Sequence, residues 1–290
     1  MAYPTISAPY GLKPVNLVGG RVYSGSTRMF PINSGYANNI NTGDVVQINT
    51  DGTLIKTAIA APASTGQAAV AGTIGVFVGC EYTSSNGPIY GKNRYQNWAT
   101  GTVASDAIGY VVDDPFAVYR VTTLAYAASA TNTTLAAFGQ VYVGSNVQLV
   151  TNYSATTPAS GDSSAGVCAA SSNAPLTTIA GTAPAYTQGG PFRIVQVVPD
   201  TVLTATTTIP TGGTTSTSWT VASATGLYVG MGVSGTGVAG NYVTAISGTS
   251  ITFASTFVAT NGQSLTFTGY PEVLVTWNFG YHSYMNPSGV

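Results

Sequence analysis

The sequence predicts an all-β protein, with a β-barrel or sandwich-like base domain and a small Ig-like β-sandwich inserted into it. Three observations carry this expectation. Short runs rich in Val, Ile, Thr, Tyr and Phe recur along the whole chain, separated by Gly, Pro, Asn and Ser. Only one stretch, around Thr134-Leu135-Ala136-Ala137-Phe138, suits a helix, and it stops at Gly139. Finally, no Lys, Arg, Asp or Glu lies between Asp200 and Glu272, and this uncharged segment is flanked by two dense strand-forming runs, 192–198 and 272–277. These runs read as neighbouring strands of one sheet, with a separate module in their connecting turn. The division expected is a base of residues 1–200 plus 271–290 and an insert of residues 201–270.

In chain order, residues 1–20 are punctuated by Pro4, Pro9, Pro14, Gly11 and Gly19-Gly20 and read as an extended arm. Strand signals follow at Arg28–Ile32, Gly43–Ile48 and Leu54–Ile59. Asp51-Gly52 between the last two predicts a hairpin. Thr73–Tyr82 reads as a strand with Val76, Val78 and Cys80 on one face and Phe77 on the other. Residues 83–100 read as a loop, and Ala107–Val112 and Phe116–Val121 as strands. Gln140–Val150 is strand-like, and 151–191 reads as a long Thr/Ser/Ala/Gly loop of the kind that has a contact role. The insert carries five or six short strand signals about ten residues apart, as in a small sandwich or barrel. The tail from Phe279 holds Tyr281, the single histidine His282, and Tyr284, and reads as anchored.

Composition narrows the class of function. Charged residues are 6% of the chain, against about 25% in an ordinary soluble domain, while hydrophobic residues are 44%. Ordinary apolar content with little net charge is not the pattern of disorder. A near-neutral surface of Thr, Ser and Asn repels neighbours poorly and favours association. The formal net charge is −1 with no Lys/Arg cluster, so no nucleic-acid footprint is expected. No apolar run approaches a membrane span. Met1-Ala2-Tyr3-Pro4-Thr5 lacks signal-peptide character, so production without secretory export is expected. Cys80 reads as a buried thiol in a core strand, and a Cys80–Cys168 bridge stays open.

No catalytic, cofactor or metal residues are assigned, and no enzyme activity is expected. Asp113 and Asp114 are the only adjacent carboxylates, and before Pro115 they read as a turn. Gly230-Met231-Gly232-Val233-Ser234-Gly235 and the overlapping 235–240 match G-x-G-x-x-G, but no helix follows, so they are not a dinucleotide site. Gly87–Asn93 has the wrong spacing for a P-loop. One histidine and two distant cysteines do not make a metal centre. A triad would need His282, and no G-x-S-x-G accompanies it. Tyr90, Tyr95 and Trp98 interleave with Lys92 and Arg94, too few charges for a single-strand binding groove. The sequons at Asn132 and Asn152 are meaningless without export.

Two groups of residues carry a resemblance. Ala8-Pro9-Tyr10-Gly11-Leu12-Lys13-Pro14-Val15, Gly25-Ser26-Thr27-Arg28, Gly43-Asp44-Val45-Val46, Gly75-Val76-Phe77-Val78-Gly79-Cys80 and Pro271-Glu272-Val273-Leu274-Val275-Thr276-Trp277-Asn278 resemble structural proteins of tailed, especially short-tailed, bacteriophages. Among these the chain is similar to capsid decoration, or cement, proteins. Val229–Gly237 with Val243–Gly248 resembles a small all-β module that recurs in phage virion proteins. The first likeness covers most of 8–120 and 271–290, the second about 219–268. The resemblance implies no enzyme chemistry. It implies oligomers, often homotrimers, bound to a major capsid protein.

The expected function is therefore capsid decoration: a structural virion protein on the outer capsid surface, made in the host cytoplasm. Its base would bind the shell and its own copies, its insert would project outward, and the arm 1–20 and tail 281–290 would make intersubunit contacts. The alternative is a tail or fibre protein binding host glycans through Trp219 and Tyr228 of the insert.

Overall fold

The computed structural model describes residues 9–61, 67–83, 92–124, 143–151, 161–168, 190–198, 201, 204–229, 231–238, 241–269 and 271–286. Among these residues the regular structure is β, apart from short 3₁₀ turns such as Ser283–Met285, and the strands make three antiparallel sheets. The helix-compatible 134–138 lies outside the described residues, as do the two sequons.

The first sheet contains β1 (Lys13–Leu17), β2 (Arg21–Val22), β9 (Ala117–Thr122), β10 (Asn146–Val150), β11 (Gly166–Cys168), β12 (Phe192–Val198) and β19 (Glu272–Trp277), in the order β11-β10-β12-β19-β9-β1-β2. β12 and β19 pair antiparallel from Phe192↔Trp277 to Val198↔Glu272. The alternation that predicted these strands places Phe192, Ile194, Val273, Val275 and Trp277 on the inner face, with Arg193, Leu274 and Thr276 on the other.

The second sheet contains β3 (Arg28–Pro31), β4 (Val45–Ile48), β5 (Leu54–Lys56), β6 (Thr73–Tyr82) and β8 (Ile108–Val112), in the order β3-β8-β6-β4-β5. β7 (Asn93–Tyr95) lies beside the end of β6. Asp51-Gly52 forms the β4–β5 hairpin turn, with Gly52 at φ 81°. The middle of this sheet is buried on both faces, while the edge strand β3 is largely exposed. Val45, Val76 and Val112 meet Tyr119, Val121 and Val275 of the first sheet in one core. Phe77, Leu54 and Ile74 pack with Ile40 and Trp98 in a second core behind it. β6 accordingly reads as a nearly unbroken apolar run.

Two glycines make β6 possible. A side chain on Gly75 (φ 156°) would place its Cβ 2.1 Å from the Val112 carbonyl, so only Gly allows this approach to β8. A bulge between Phe77 and Gly79 (φ 140°) then shifts the alternation. Cys80 therefore lies on the Phe77 side, in the second core, rather than on the face of Val76. This corrects the face assignment made from simple alternation.

Strands β13 (Thr204–Ile209), β14 (Ser216–Thr220), β15 (Gly232–Ser234), β16 (Asn241–Ser247), β17 (Ser250–Phe257) and β18 (Gln263–Thr268) pair only with one another, in the order β13-β18-β15-β16-β17-β14. The sheet rolls onto its own core of Phe253, Phe257, Phe267, Leu265, Val243 and Trp219. Ala222 N–H donates to the Thr208 carbonyl at 2.8 Å and draws the two ends of the sheet together. β16 pairs with β15 at Asn241 and Tyr242 and with β17 from Val243 onward, with a bulge between Val243 and Ala245, and the side chain of buried Asn241 reaches across to β17. Its Oδ1 accepts from Ser255 N and its Nδ2 donates to Ser255 O. β13 was not foreseen, because Thr204–Ile209 offers mostly Thr and buries only Thr207 and Ile209.

Candidate interaction surface

β12 and β19 give the first sheet two distinct ends. At one end, Val198, Glu272 and Thr122 stand side by side, and the rolled lobe of β13–β18 enters and leaves the sheet there. About six residues away along β19, roughly 20 Å, is the opposite end.

The lobe end is tied by a buried polar clasp. Glu272 is 1% exposed. It accepts from the Tyr10 hydroxyl on one oxygen and from the Arg120 guanidinium on the other. Its backbone N–H donates to Thr201 Oγ1 at 2.8 Å. The Lys13 ammonium lies 4.3 Å from the centre of the Tyr10 ring. Burial, reinforced by the adjacent Glu272 carboxylate, pushes the Tyr10 hydroxyl far above its ordinary value, so it remains a donor.

The opposite end is apolar and open. Val18 N–H donates to the Phe116 carbonyl, which fixes the end of β1 beside the β8–β9 turn. The β9–β19 register brings Asn278 and Phe279 to this end as well. Phe279 is 78% exposed, Phe116 52% and Val18 40%. Beside them Asp113 accepts from Arg28 at 3.1 Å and from the Tyr284 hydroxyl at 2.9 Å, and Arg28 also donates to that hydroxyl. Large exposed side chains gathered at one end are what a partner surface requires, whereas scattered ones are ordinary.

The two carboxylates read as a turn do form one. Asp114 Oδ1 accepts from Phe116 N at 2.8 Å, and its carbonyl accepts from Ala117 N. The turn also displays Phe116.

Residues 9–20, read as part of an arm, are built into the fold instead. Tyr10 and Leu12 are buried and β1 pairs with β9 along its length. Leu12 needs the core, and its neighbours complete the sheet. Residues 1–8 lie outside the described residues. The tail is likewise docked on its own chain. His282 is fully buried, edge-on to Trp277, with Nδ1 accepting from Tyr284 N, and the Tyr281 hydroxyl donates to the Gln67 carbonyl. Burial lowers the imidazole from its ordinary value, opposed by the Ile74 backbone and by Asp113 and Asp114. Gly166–Cys168, inside the stretch read as a loop, is β11.

No match to this chain is found among family models, curated proteins or solved structures.

The remaining sequence candidates fall apart in space. Trp219 packs against Phe257 inside the lobe, 8% exposed, and Tyr228 packs partly against the same core, so this pair does not present an open stacking platform for a sugar. Trp98 is fully buried and Tyr95 stacks on Tyr82. Tyr90 lies outside the described residues. Cys80 and Cys168 are both free and buried. A cleft of about 430 Å³ opens beside β6, lined among the described residues by Thr27, Val78, Cys80, Arg94, Gln96 and Tyr110, and Arg94 is paired with Glu81. Among the described residues, no three His, Cys, Asp or Glu side chains gather to hold a metal, and no helix is long and apolar enough to cross a membrane. Sequence reading missed the apolar end. Its signal was a large hydrophobic residue just outside each strand, Phe116 before β9 and Phe279 after β19, where a turn normally carries polar residues.

Proposed function

We propose that this protein decorates and stabilises the capsid of a tailed bacteriophage, standing on the outer surface of the shell. The base binds the major capsid protein lattice and neighbouring copies of the chain, and the lobe of β13–β18 projects outward. One observation carries this reading. The exposed apolar residues Val18, Phe116 and Phe279 sit at the end of the first sheet away from the lobe, so a copy seated by this end holds its lobe away from the surface beneath. The scarcity of charge supports the same reading, since a surface of Thr, Ser and Asn packs closely without burying unpaired ions. Many shallow contacts repeated over a lattice reach high avidity without one strong site.

The test is mass spectrometry of purified particles. Decoration requires on the order of hundreds of copies per particle, against a dozen or fewer for a tail part. Phe116→Asp combined with Phe279→Asp is expected to abolish retention on shells while leaving the thermal unfolding of the free protein unchanged. Full retention by that variant would remove the apolar end as the seat.

A further inference from the structure

We infer that the outer face of the first sheet docks head-to-tail on the acidic rim of the second sheet of a neighbouring copy; this rests on the decoration reading and specifies its lateral contact. The face is defined by register. One row across it holds Arg193, Thr276, Val118, Asn16 and Val22, and the next holds Gln196, Leu274, Arg120 and Lys13. Val15 and Val195 are exposed beside these rows. Val118 is buried and Leu274 half-buried within the rows, so the apolar surface the face offers is Val15, Val22 and Val195 standing among the cations, apolar contacts with a charged rim as at an interface.

Its charges are unbalanced. Among the described residues Glu272 is its one carboxylate, buried and consumed by Arg120. Arg193 is held between the Asn146 and Asn278 side chains, and Lys13 lies on the Tyr10 ring. Neither makes an ion pair among the described residues. In the second sheet the balance is reversed. Arg28, Lys56 and Arg94 each pair with a carboxylate and Lys92 donates to the Asp106 carbonyl at 3.0 Å, yet among the described residues the carboxylates of Asp51, Asp106, Asp114 and Asp162 form no ion pair within 4 Å, leaving this side with more acids than cations. Two of these share a rim. Asn33 donates to Asp51 at 2.8 Å, and the next residue back, Ile32, donates to the carbonyl of Ala107, the neighbour of Asp106. Hydrogen bonds from Thr53 and Thr83 lower both carboxyl groups from their ordinary value, so both stay ionised.

Two copies meeting by the same face would bring one surface carrying Lys13 and Arg193 against another of the same sign. Like charges opposed across an interface are disfavoured, which weighs against the two-fold arrangement. The acidic rim is the complementary surface, and it is present on every copy. A contact between two different patches of one molecule is heterologous and closes into a ring when the rotation permits, as a trimer requires.

The test is sedimentation velocity of the full chain at 0.1 M and 1 M salt, across which the screening length falls from about 10 Å to about 3 Å. Oligomers at low salt are expected to dissociate at high salt, with the association constant falling at least roughly tenfold. Lys13→Glu with Arg193→Glu, and separately Asp51→Lys with Asp106→Lys, should each sediment as monomers. Mixing the two variants should restore a complex, because each then supplies one intact patch to the other. A monomer at both salt concentrations, or oligomers indifferent to both variants, overturns the inference. The copy number on particles separates the two readings. Abundant copies with no association in solution overturn the lateral contact alone, and association in solution with no copies on particles overturns decoration alone.

Discussion

Tyr10 and Glu272 stand 262 positions apart in sequence and meet in one buried hydrogen bond. That bond joins the segment leading into β1 to the strand on which the lobe returns. Arg120 completes the clasp from the strand between them in the sheet.

Removing the carboxylate leaves Arg120 and the Tyr10 hydroxyl without their partner in a buried place. Glu272→Ala is expected to destabilise the protein by about 2–4 kcal/mol. This is below the roughly 3–5 kcal/mol of a fully buried pair, because the Arg120 side chain keeps 36% of its exposure. Tyr10→Phe should cost only about 1 kcal/mol. The chain's three tryptophans make the measurement local, since Trp277, Trp219 and Trp98 each sit in a different core. Urea titration with Trp277 as the sole tryptophan should show the loss for the core beside the clasp.

Stability should fall as the solution is acidified through the histidine range. His282 is held neutral by burial, so its folded value lies below the unfolded value of about 6.5. Between those two values the unfolded chain binds more protons than the folded one, and stability therefore decreases as pH falls through that window. Below the folded value this loss is complete. His282→Gln should flatten the urea midpoint between pH 7.5 and 5.5, and an equal slope in the variant would assign the effect to other groups.

Gly75→Ala should be among the most damaging single changes. The new methyl would meet the Val112 carbonyl at 2.1 Å inside a buried sheet, and the strands have to separate to accommodate it. A loss above about 3 kcal/mol, or no soluble protein, is expected. Gly101→Ala, at φ 72° with open space around it, should cost only about 1 kcal/mol, from backbone strain. Thermal melts of the two variants side by side make the comparison.

The thiols should be silent in the native state. Burial pushes both Cys80 and Cys168 up to about 12, and each lies in a core strand. Alkylation with iodoacetamide at pH 8 should leave the folded chain unmodified and add two groups in guanidinium. Modification of either cysteine without denaturant would mean that its strand opens locally.

Much of this architecture was written plainly in the chain. The paired strands either side of the uncharged segment, the Asp51-Gly52 hairpin and the Asp113-Asp114 turn all follow from short-range rules of alternation and turn chemistry. The misreadings share a cause, namely that the deciding partner is remote. Residues 9–17 look like an extended arm until β9 is beside them. Alternation alone could not place Cys80, because the bulge at Gly79 answers to the fit of β6 against β8. The charge polarity of the base was invisible for the same reason. Lys13, Arg120 and Arg193 are scattered in sequence and share a face only through strand register.

The adjacency of β12 and β19 makes the lobe an interchangeable fitting. Its entry and exit points are neighbouring residues of one ladder, Val198 and Glu272, close enough that a short hairpin turn could replace everything between them. A base of this design can shed its ornament, or accept a foreign one of any length whose ends meet, without re-registering a single strand beneath it.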